Sequence, residues 1–384
     1  MAGNVFINLD TSKVKTPCFI VDADSVEQNL LVLNEIQHRT GCRILLALKA
    51  FSMFSLFPLI KKYLNGTCAS SPHEARLGRE EFGGEVHSFA AAFSESDFSE
   101  LMKYSDHIVF NSLSQYRKFR GDVIRSRSVK FGLRINPEVS QAPVPMYDPC
   151  GRYSRLGITA AEFAPSCLEG ISGLHFHALC EENSPALEKT LNAFEANFGR
   201  YLDDLEWLNL GGGHHITRSD YDRELLCSLV ERVKNKYDLT VYLEPGEAVA
   251  LNTGIMVTTV LDVIRNEIDI AVLDTSAAAH LPDVLEMPYR PSIIGADQPG
   301  VLSHTYRLGG ISCLAGDVIG DYSFDHPLKP GEKIVLLDMA HYTMVKTNTF
   351  NGIALPSIAI CRTSTGEITT VREFGYHDFK TRLS

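Results

Sequence analysis

Four polar groups stand at the ends of short apolar runs. Lys49 closes RILLALK (Arg43–Lys49), Glu244 closes TVYLE (Thr240–Glu244), Gly211–Gly213 follow WLNL (Trp207–Leu210), and His175 and His177 lie in ISGLHFH (Ile171–His177). An amine in an apolar setting loses its charged form, so its pKa should fall. A neutral amine can condense with an aldehyde, although a strand-end lysine that only reaches solvent is the commoner use of such a position. Three successive glycines let backbone N–H groups approach a phosphate, or they form a plain loop. Glu244-Pro245-Gly246 admits two readings. One is a structural ion pair with Lys49. The other is a carboxylate that keeps a pyridine nitrogen protonated, which makes the ring a better electron sink. His175 and His177 are two apart on a strand and face the same way. No third metal ligand stands at convincing spacing, and His214-His215, adjacent on a loop, rarely chelate one ion. No metal site is expected, and His177 stacked on a flat cofactor is the better reading.

These groups need a scaffold that gathers strand ends. Eight short strand candidates alternate with helical patterns: Arg43–Lys49, Thr67–Ser70, Glu85–Ala90, His107–Asn111, Val129–Asn136, Ile171–His177, Trp207–Leu210 and Thr240–Glu244. Leu225, Leu229, Val230 and Val233 illustrate the helical spacing between them. Strands alternating with helices imply a parallel sheet, and eight of them predict a closed α/β barrel of the (β/α)8 type, chemically active at its C-terminal face. That face would carry Lys49, Ser70, Ser71, Asn111, Asn136, His177, Gly211–Gly213 and Glu244. The proline-rich stretch 138–152 reads as a loop over that face. Beyond about residue 255, Val257–Ile264, Ile270–Leu273, Lys333–Leu337 and Ala359–Cys361 predict a mostly β domain. Cys18–Asp22 is expected to join it. The expected division is 26–254 for the barrel, with 1–25 and 255–384 forming the β domain.

The chain has 384 residues and a net charge of −11, with 45% hydrophobic and 22% charged residues, as in ordinary globular proteins. Its acidity argues against a nucleic-acid partner and suits a cationic one, though many globular proteins are acidic. The nine cysteines contain no C-x-x-C pair, which predicts reduced thiols and a cytoplasmic setting. Neither a signal peptide nor a membrane span is expected.

In this order the motifs resemble the fold-type III decarboxylases that use pyridoxal 5′-phosphate, the group of ornithine and diaminopimelate decarboxylases. ALKA implies Lys49 as the cofactor anchor, and LHFHALC implies His177 on the ring. GGG and EPG imply Gly211, Gly212 and Gly213 at the phosphate and Glu244 at the pyridine nitrogen. GGISCLAGDVIG places Cys313 as the acid that protonates the carbanion, and DMAHYTMVKTNTFNG implies Tyr342 at the phosphate. In the family the cysteine motif reaches a partner's barrel, so the resemblance implies a head-to-tail homodimer with shared active sites. Cys180 stands where relatives often carry a phosphate-binding serine. Glu247 replaces an arginine that grips a distal carboxylate in many relatives, and Leu314 stands where diaminopimelate decarboxylases often carry Glu. Opposite charges must meet in a low-dielectric pocket, so Glu247 predicts a substrate with a distal amine. Asp283 and Glu286, in HLPDVLEMPY, lie where basic amino-acid decarboxylases recruit acidic ligands, and a solvated loop is the competing reading. LALKAF, FNSLSQ, RINPEVS, CGRYSRLGI, EPGEA, SCLAGD and HYTMVKTNTFNG resemble the branch of this family that decarboxylates carboxylated triamines. Arg155 is a candidate anion partner, and Asp317 either frames the site or caps its loop. The rival readings are another amino-acid decarboxylase of this fold, a racemase, and a non-catalytic pyridoxal-phosphate carrier.

Overall fold

The computed structural model describes residues 5–142, 144–164 and 168–384; Cys167, one of the nine thiols, lies outside them. The chain forms two compact units, Gln28–Val249 and a second that joins the segment up to Glu27 with Ala250–Ser384. Strand β1 (Cys18–Asp22) leads into helix α1 (Ala23–Thr40). Eight parallel strands then alternate with helices: β2 (Arg43–Ala47), β3 (Gly66–Ala69), β4 (Glu85–Phe89), β5 (His107–Phe110), β6 (Lys130–Arg134), β7 (Gly173–His175), β8 (Trp207–Asn209) and β9 (Thr240–Leu243). They close into a barrel where Arg43 and Ile44 of β2 meet Tyr242 and Leu243 of β9.

Helix starts are marked by local chemistry. Ser71, Ser94, Ser112 and Asp222 cap helices α3 (Pro72–Leu77), α4 (Glu95–Tyr104), α5 (Leu113–Arg125) and α7 (Arg223–Tyr237), each side chain accepting the N–H three residues on. Between β2 and β3 the apolar spacing yields only a short α2 (Phe57–Ile60), because Pro58 permits a helix start and little more. Helix α6 (Ser184–Phe198) precedes β8, and α8 (Glu247–Ala250) follows β9.

The half of the barrel at the strand starts is filled with rings. Trp207 packs with Leu45, Val109 and Tyr242, and its indole N–H donates to Ser172 Oγ at 3.0 Å. His87 and His107 stack beside it at 3.9 Å, and burial drives the His107 imidazole down to about 2, which keeps it neutral. Glycine makes room for the indole: a Cβ on Gly173 would lie 2.0 Å from Trp207 and one on Gly132 2.3 Å. With that end plugged, polar side chains of the interior gather at the strand ends.

The second unit is a nine-stranded mixed sheet. Its strands are β1, β10 (Gly254–Asn266), β11 (Ile268–Leu273), β12 (Ala296–Asp297), β13 (His304–Gly309), β14 (Val318–Phe324), β15 (Lys333–Leu337), β16 (Ser357–Arg362) and β17 (Glu367–Arg372). β1 runs antiparallel to β10 and parallel to β16, and Cys18, Ile20, Ile255, Val257, Ala359 and Cys361 form the core between them. The hairpin β13–β14 carries the Cys313 segment in its turn. Among the described residues the cysteines are free, and no helix is long and apolar enough to cross a membrane.

Gly173→Ala is expected to destabilise the chain by about 1–3 kcal/mol, the usual effect of overpacking. Urea unfolding followed by the fluorescence of Trp207, the only tryptophan, measures it. An unchanged midpoint would show that the indole does not depend on that glycine.

Candidate active site

Several polar residues at the barrel's C-terminal face serve the backbone. Ser70 donates its N–H to Glu74 at 2.6 Å, and Ser71 caps α3. Asn111 bridges the Arg155 carbonyl at 2.8 Å and the Gly157 N–H at 2.7 Å, so it shapes the loop rather than the site. Asn136 accepts the Glu138 N–H at 2.8 Å in a turn. Lys49, His177, Glu244 and the glycine run are the groups left for chemistry.

His177, Glu244 and the glycine run form one connected set, which Lys49 does not join by hydrogen bonding. Asn209, the last residue of β8, donates Nδ2–H to Glu244 Oε1 at 2.7 Å and accepts the Gly211 N–H at 2.8 Å. The Gly212 N–H donates to His177 Nδ1 at 3.1 Å. Arg134, at the end of β6, donates to the His177 carbonyl at 2.9 Å while its guanidinium lies 4.5 Å from the Phe89 ring. One ring nitrogen each of His175 and His177 and one carboxylate oxygen of Glu244 lie within 4.8 Å of one another. The sequence spacing gave no sign of that grouping.

The glycines are obligatory. A Cβ on Gly212 would lie 2.2 Å from the Glu244 carbonyl, and one on Gly213 2.0 Å from the Leu179 carbonyl. Gly211 and Gly213 also adopt φ of +72° and +79°. Two of the three N–H groups are committed, to Asn209 and His177. The loop therefore offers a phosphate fewer donors than its composition suggests.

Burial works against the charge on Glu244, yet the His175 imidazole, His87 and the Asn209 amide hold its carboxyl down at about 2. Burial pushes the His177 imidazole far down, assisted by Lys49 and Arg134, and lowers His175 as well. Burial also brings Arg134 down to about 10. The centre is thus a buried carboxylate beside two neutral imidazoles. Such a donor set fits a protonated pyridine ring: the anion could hold a proton on the ring nitrogen, a neutral imidazole could cover a ring face, and the side-chain-free glycine loop leaves room for a phosphate. Burial raises the Cys180 thiol to about 11, so it stands protonated.

Lys49 departs from expectation. It sits exposed in the turn after β2, whereas the side chains Ile44–Ala47 of that apolar run are buried. His214 binds the Tyr221 hydroxyl at 3.1 Å and His215 lies 3.1 Å from Glu247, so the adjacent histidines have separate partners.

The sheet unit holds the remaining candidates. Cys313 is exposed, and its N–H donates to Asn351 Oδ1 at 2.8 Å. Asp317 caps that loop by accepting the N–H groups of Ala278 at 3.2 Å and Ser312 at 3.0 Å. Tyr342 is half-buried, with φ of 45°. Asp283 and Glu286, in helix α10 (Asp283–Glu286, after α9, Ala277–His280), both bind Lys346 Nζ. They are therefore already neutralised in part, which neither sequence reading of them anticipated. Arg134 and Asn209 were missed altogether. The signal for Arg134 was a buried guanidinium closing the apolar run FGL of KFGLR.

Comparison with known proteins accords with this geometry. The family described as pyridoxal-dependent decarboxylase, C-terminal sheet domain, matches residues 18–340. A carboxynorspermidine/carboxyspermidine decarboxylase of Campylobacter jejuni is 43% identical over 96% of this chain and 99% of its own. A carboxyaminopropylagmatine decarboxylase of Synechocystis is 44% identical over 100% of this chain and 99% of its own. The crystal structure of the Campylobacter jejuni carboxynorspermidine decarboxylase with norspermidine superimposes with a TM-score of 0.89 at 42% identity, covering 96% of this chain and 100% of that one. Diaminopimelate decarboxylase from Helicobacter pylori shares the fold, with a TM-score of 0.79 at 18% identity over 96% and 97% of the two chains.

The low carboxyl pKa of Glu244 carries a stability consequence. Its folded value, about 2, lies below the ordinary 4.5. The stability it contributes is complete above the ordinary value and is lost as pH falls through the folded one. Cofactor-free protein should weaken across that window, and Glu244→Gln should lose this share of the acid sensitivity. Urea midpoints at about pH 5, 4 and 3 decide the matter; equal slopes for the two proteins would refute it.

Proposed function

We propose, because this chain belongs to the pyridoxal-dependent decarboxylases, that it removes the α-carboxylate of carboxynorspermidine and carboxyspermidine, releasing norspermidine and spermidine. The observation that carries this reading is the end-to-end similarity to the Campylobacter jejuni enzyme. A second reading, carboxyaminopropylagmatine as substrate, is favoured by the equally extensive similarity to the Synechocystis enzyme.

Pyridoxal phosphate, when bound, supplies an aldehyde for the substrate amine and a ring that accepts the electron pair left by carbon dioxide. Lys49 Nζ would hold it covalently. Glu244, ionised, keeps the proton on the ring nitrogen, and Asn209 fixes that carboxylate in place. His177, its orientation set by the Gly212 N–H, would cover a ring face. Gly211–Gly213 and Tyr342 would hold the phosphate. The Cys313 thiol of a partner subunit delivers a proton to the carbon that lost its carboxylate, so the site is complete only in a head-to-tail homodimer working in the cytoplasm. Glu247 would bind a distal amine of a cationic substrate, and Asp283 and Glu286 are the further acidic candidates for that role. Nothing in this reading calls on a metal, nucleic acid or a membrane.

Purified holoprotein should release carbon dioxide from carboxynorspermidine and carboxyspermidine faster than from diaminopimelate or ornithine. Preference for diaminopimelate would reject the reading. Turnover of carboxyaminopropylagmatine alone would select the second one. Cys313→Ala should retain bound cofactor and lower kcat by about a hundredfold, as expected for loss of a general acid; unchanged turnover removes Cys313 from the mechanism. Glu247→Arg should raise KM for the triamine substrates at least tenfold, and an unchanged KM would dismiss Glu247 as the source of specificity.

A further inference from the structure

We propose that His175 is a positioning residue for Glu244: a neutral imidazole whose Nε2–H holds the second carboxylate oxygen, orienting the anion without cancelling its charge. This goes beyond the function proposed above, which gives His175 no role, and its link to the cofactor rests on that reading.

His175 is the last residue of β7 and is 2% exposed. Neither of its ring nitrogens has a hydrogen-bond partner among the described residues. A buried polar group without a partner is costly, and such groups in a folded chain call for an explanation. The carboxylate is at hand, since His175 Nε2 lies 3.5 Å from Glu244 Oε2. The other carboxylate oxygen is taken by Asn209 at 2.7 Å, so Oε2 is the one that needs holding. The Phe89 ring stands edge-on to the imidazole at 5.7 Å and limits its rotation. A shift of a few tenths of an ångström would bring Nε2–H into ordinary hydrogen-bond range.

The choice of residue type follows from charge. An arginine or lysine here would form an ion pair and offset the negative charge that a ring nitrogen requires. A neutral imidazole supplies one donor and no net charge. Burial favours that neutral form. The other groups acting on the Glu244 carboxyl are Cys68 on β3, His87 on β4, Arg134 on β6 and Asn209 on β8. Asn209 donates to the opposite oxygen at 2.7 Å, and the Cys68 thiol also shares a hydrogen bond with the carboxylate.

The test begins with the cofactor-free protein. Nitrogen-15 NMR of labelled histidines should find His175 as the neutral Nε2–H tautomer near pH 7, assigned by its loss in His175→Leu. An Nδ1–H tautomer or an imidazolium would overturn the proposal. Carbon-13 NMR of labelled glutamate, with Glu244→Gln for assignment, should show the Glu244 titration rising by about one pH unit in His175→Leu, a tenfold change in its ionisation constant. His175→Gln retains an N–H donor and should restore the native titration. Affinity of the same proteins for pyridoxal 5′-phosphate should fall about tenfold in His175→Leu, the size of one hydrogen bond to a charged group, and recover in His175→Gln. An unchanged titration in folded His175→Leu overturns the proposal, and so does failure of His175→Gln to restore it. If His175→Leu does not fold, the tautomer, then assigned by its loss in His175→Gln, and the Glu244 titration in His175→Gln give the decision. If the chain binds no pyridoxal phosphate at all, the proposed function fails while the cofactor-free titration still decides His175.

Discussion

The site depends on keeping one carboxylate ionised inside a protein core. Removing a charge from water is expensive, and a buried carboxyl without support takes up a proton instead. Glu244 escapes that outcome because Asn209 donates to it and His175 and His87 stand beside it. Asn209 is held in turn by the Gly211 N–H, and the next glycine, Gly212, orients His177. The glycine loop thus has an architectural duty apart from any phosphate. It ties the ends of β7, β8 and β9 into one hydrogen-bonded unit, and no side chain fits at Gly212 or Gly213 without driving those strands apart.

The opposite end of the barrel makes this possible. Trp207, Tyr242 and the stacked pair His87 and His107 fill the interior near the strand starts. Water is excluded from below, so charges at the strand ends feel a low dielectric and interact strongly. Burial keeps His107 neutral, so its ring stacks on His87 without adding a charge to the plug. A Trp-sized plug demands glycine on the neighbouring strands, and Gly132 and Gly173 meet that demand on β6 and β7.

Much of this was legible from the chain. The eight barrel strands announce themselves because parallel strands covered on both faces are short apolar runs, and Gly211–Gly213 and Glu244 mark strand ends. Strands β12, β13, β14 and β17 were not recognised. β12 is two residues long, HTYRLG and VIGDYSF mix charge and glycine with apolar residues, and EITTVR is nearly all exposed at a sheet edge, so none gives the alternation that betrays a half-buried strand. At the site, residue type was legible and partnership was not. Lys49 reads as enclosed because its neighbours are apolar, yet a residue two past a strand end can point anywhere. Asn209 and Arg134 act through hydrogen bonds to residues 35 and 43 positions away, a relation no local pattern encodes.

The acidic residues proposed for substrate recognition show how far charge alone can reach. Glu247 has His215 beside it, and Asp283 and Glu286 share Lys346. Two carboxylates around one ammonium leave a single net negative charge, which suffices to favour a cation and does not count its nitrogens. An amine and a guanidinium carry the same unit charge near pH 7, so electrostatics separates cationic from anionic distal groups and stops there. Discrimination between a carboxylated triamine and a carboxylated agmatine derivative must come from shape and donor geometry: an ammonium directs three N–H groups from a point, whereas a guanidinium presents a planar fork that matches a carboxylate with both oxygens free. Asp283 and Glu286 each commit an oxygen to Lys346, which impairs them as bidentate partners and favours the point-like ammonium.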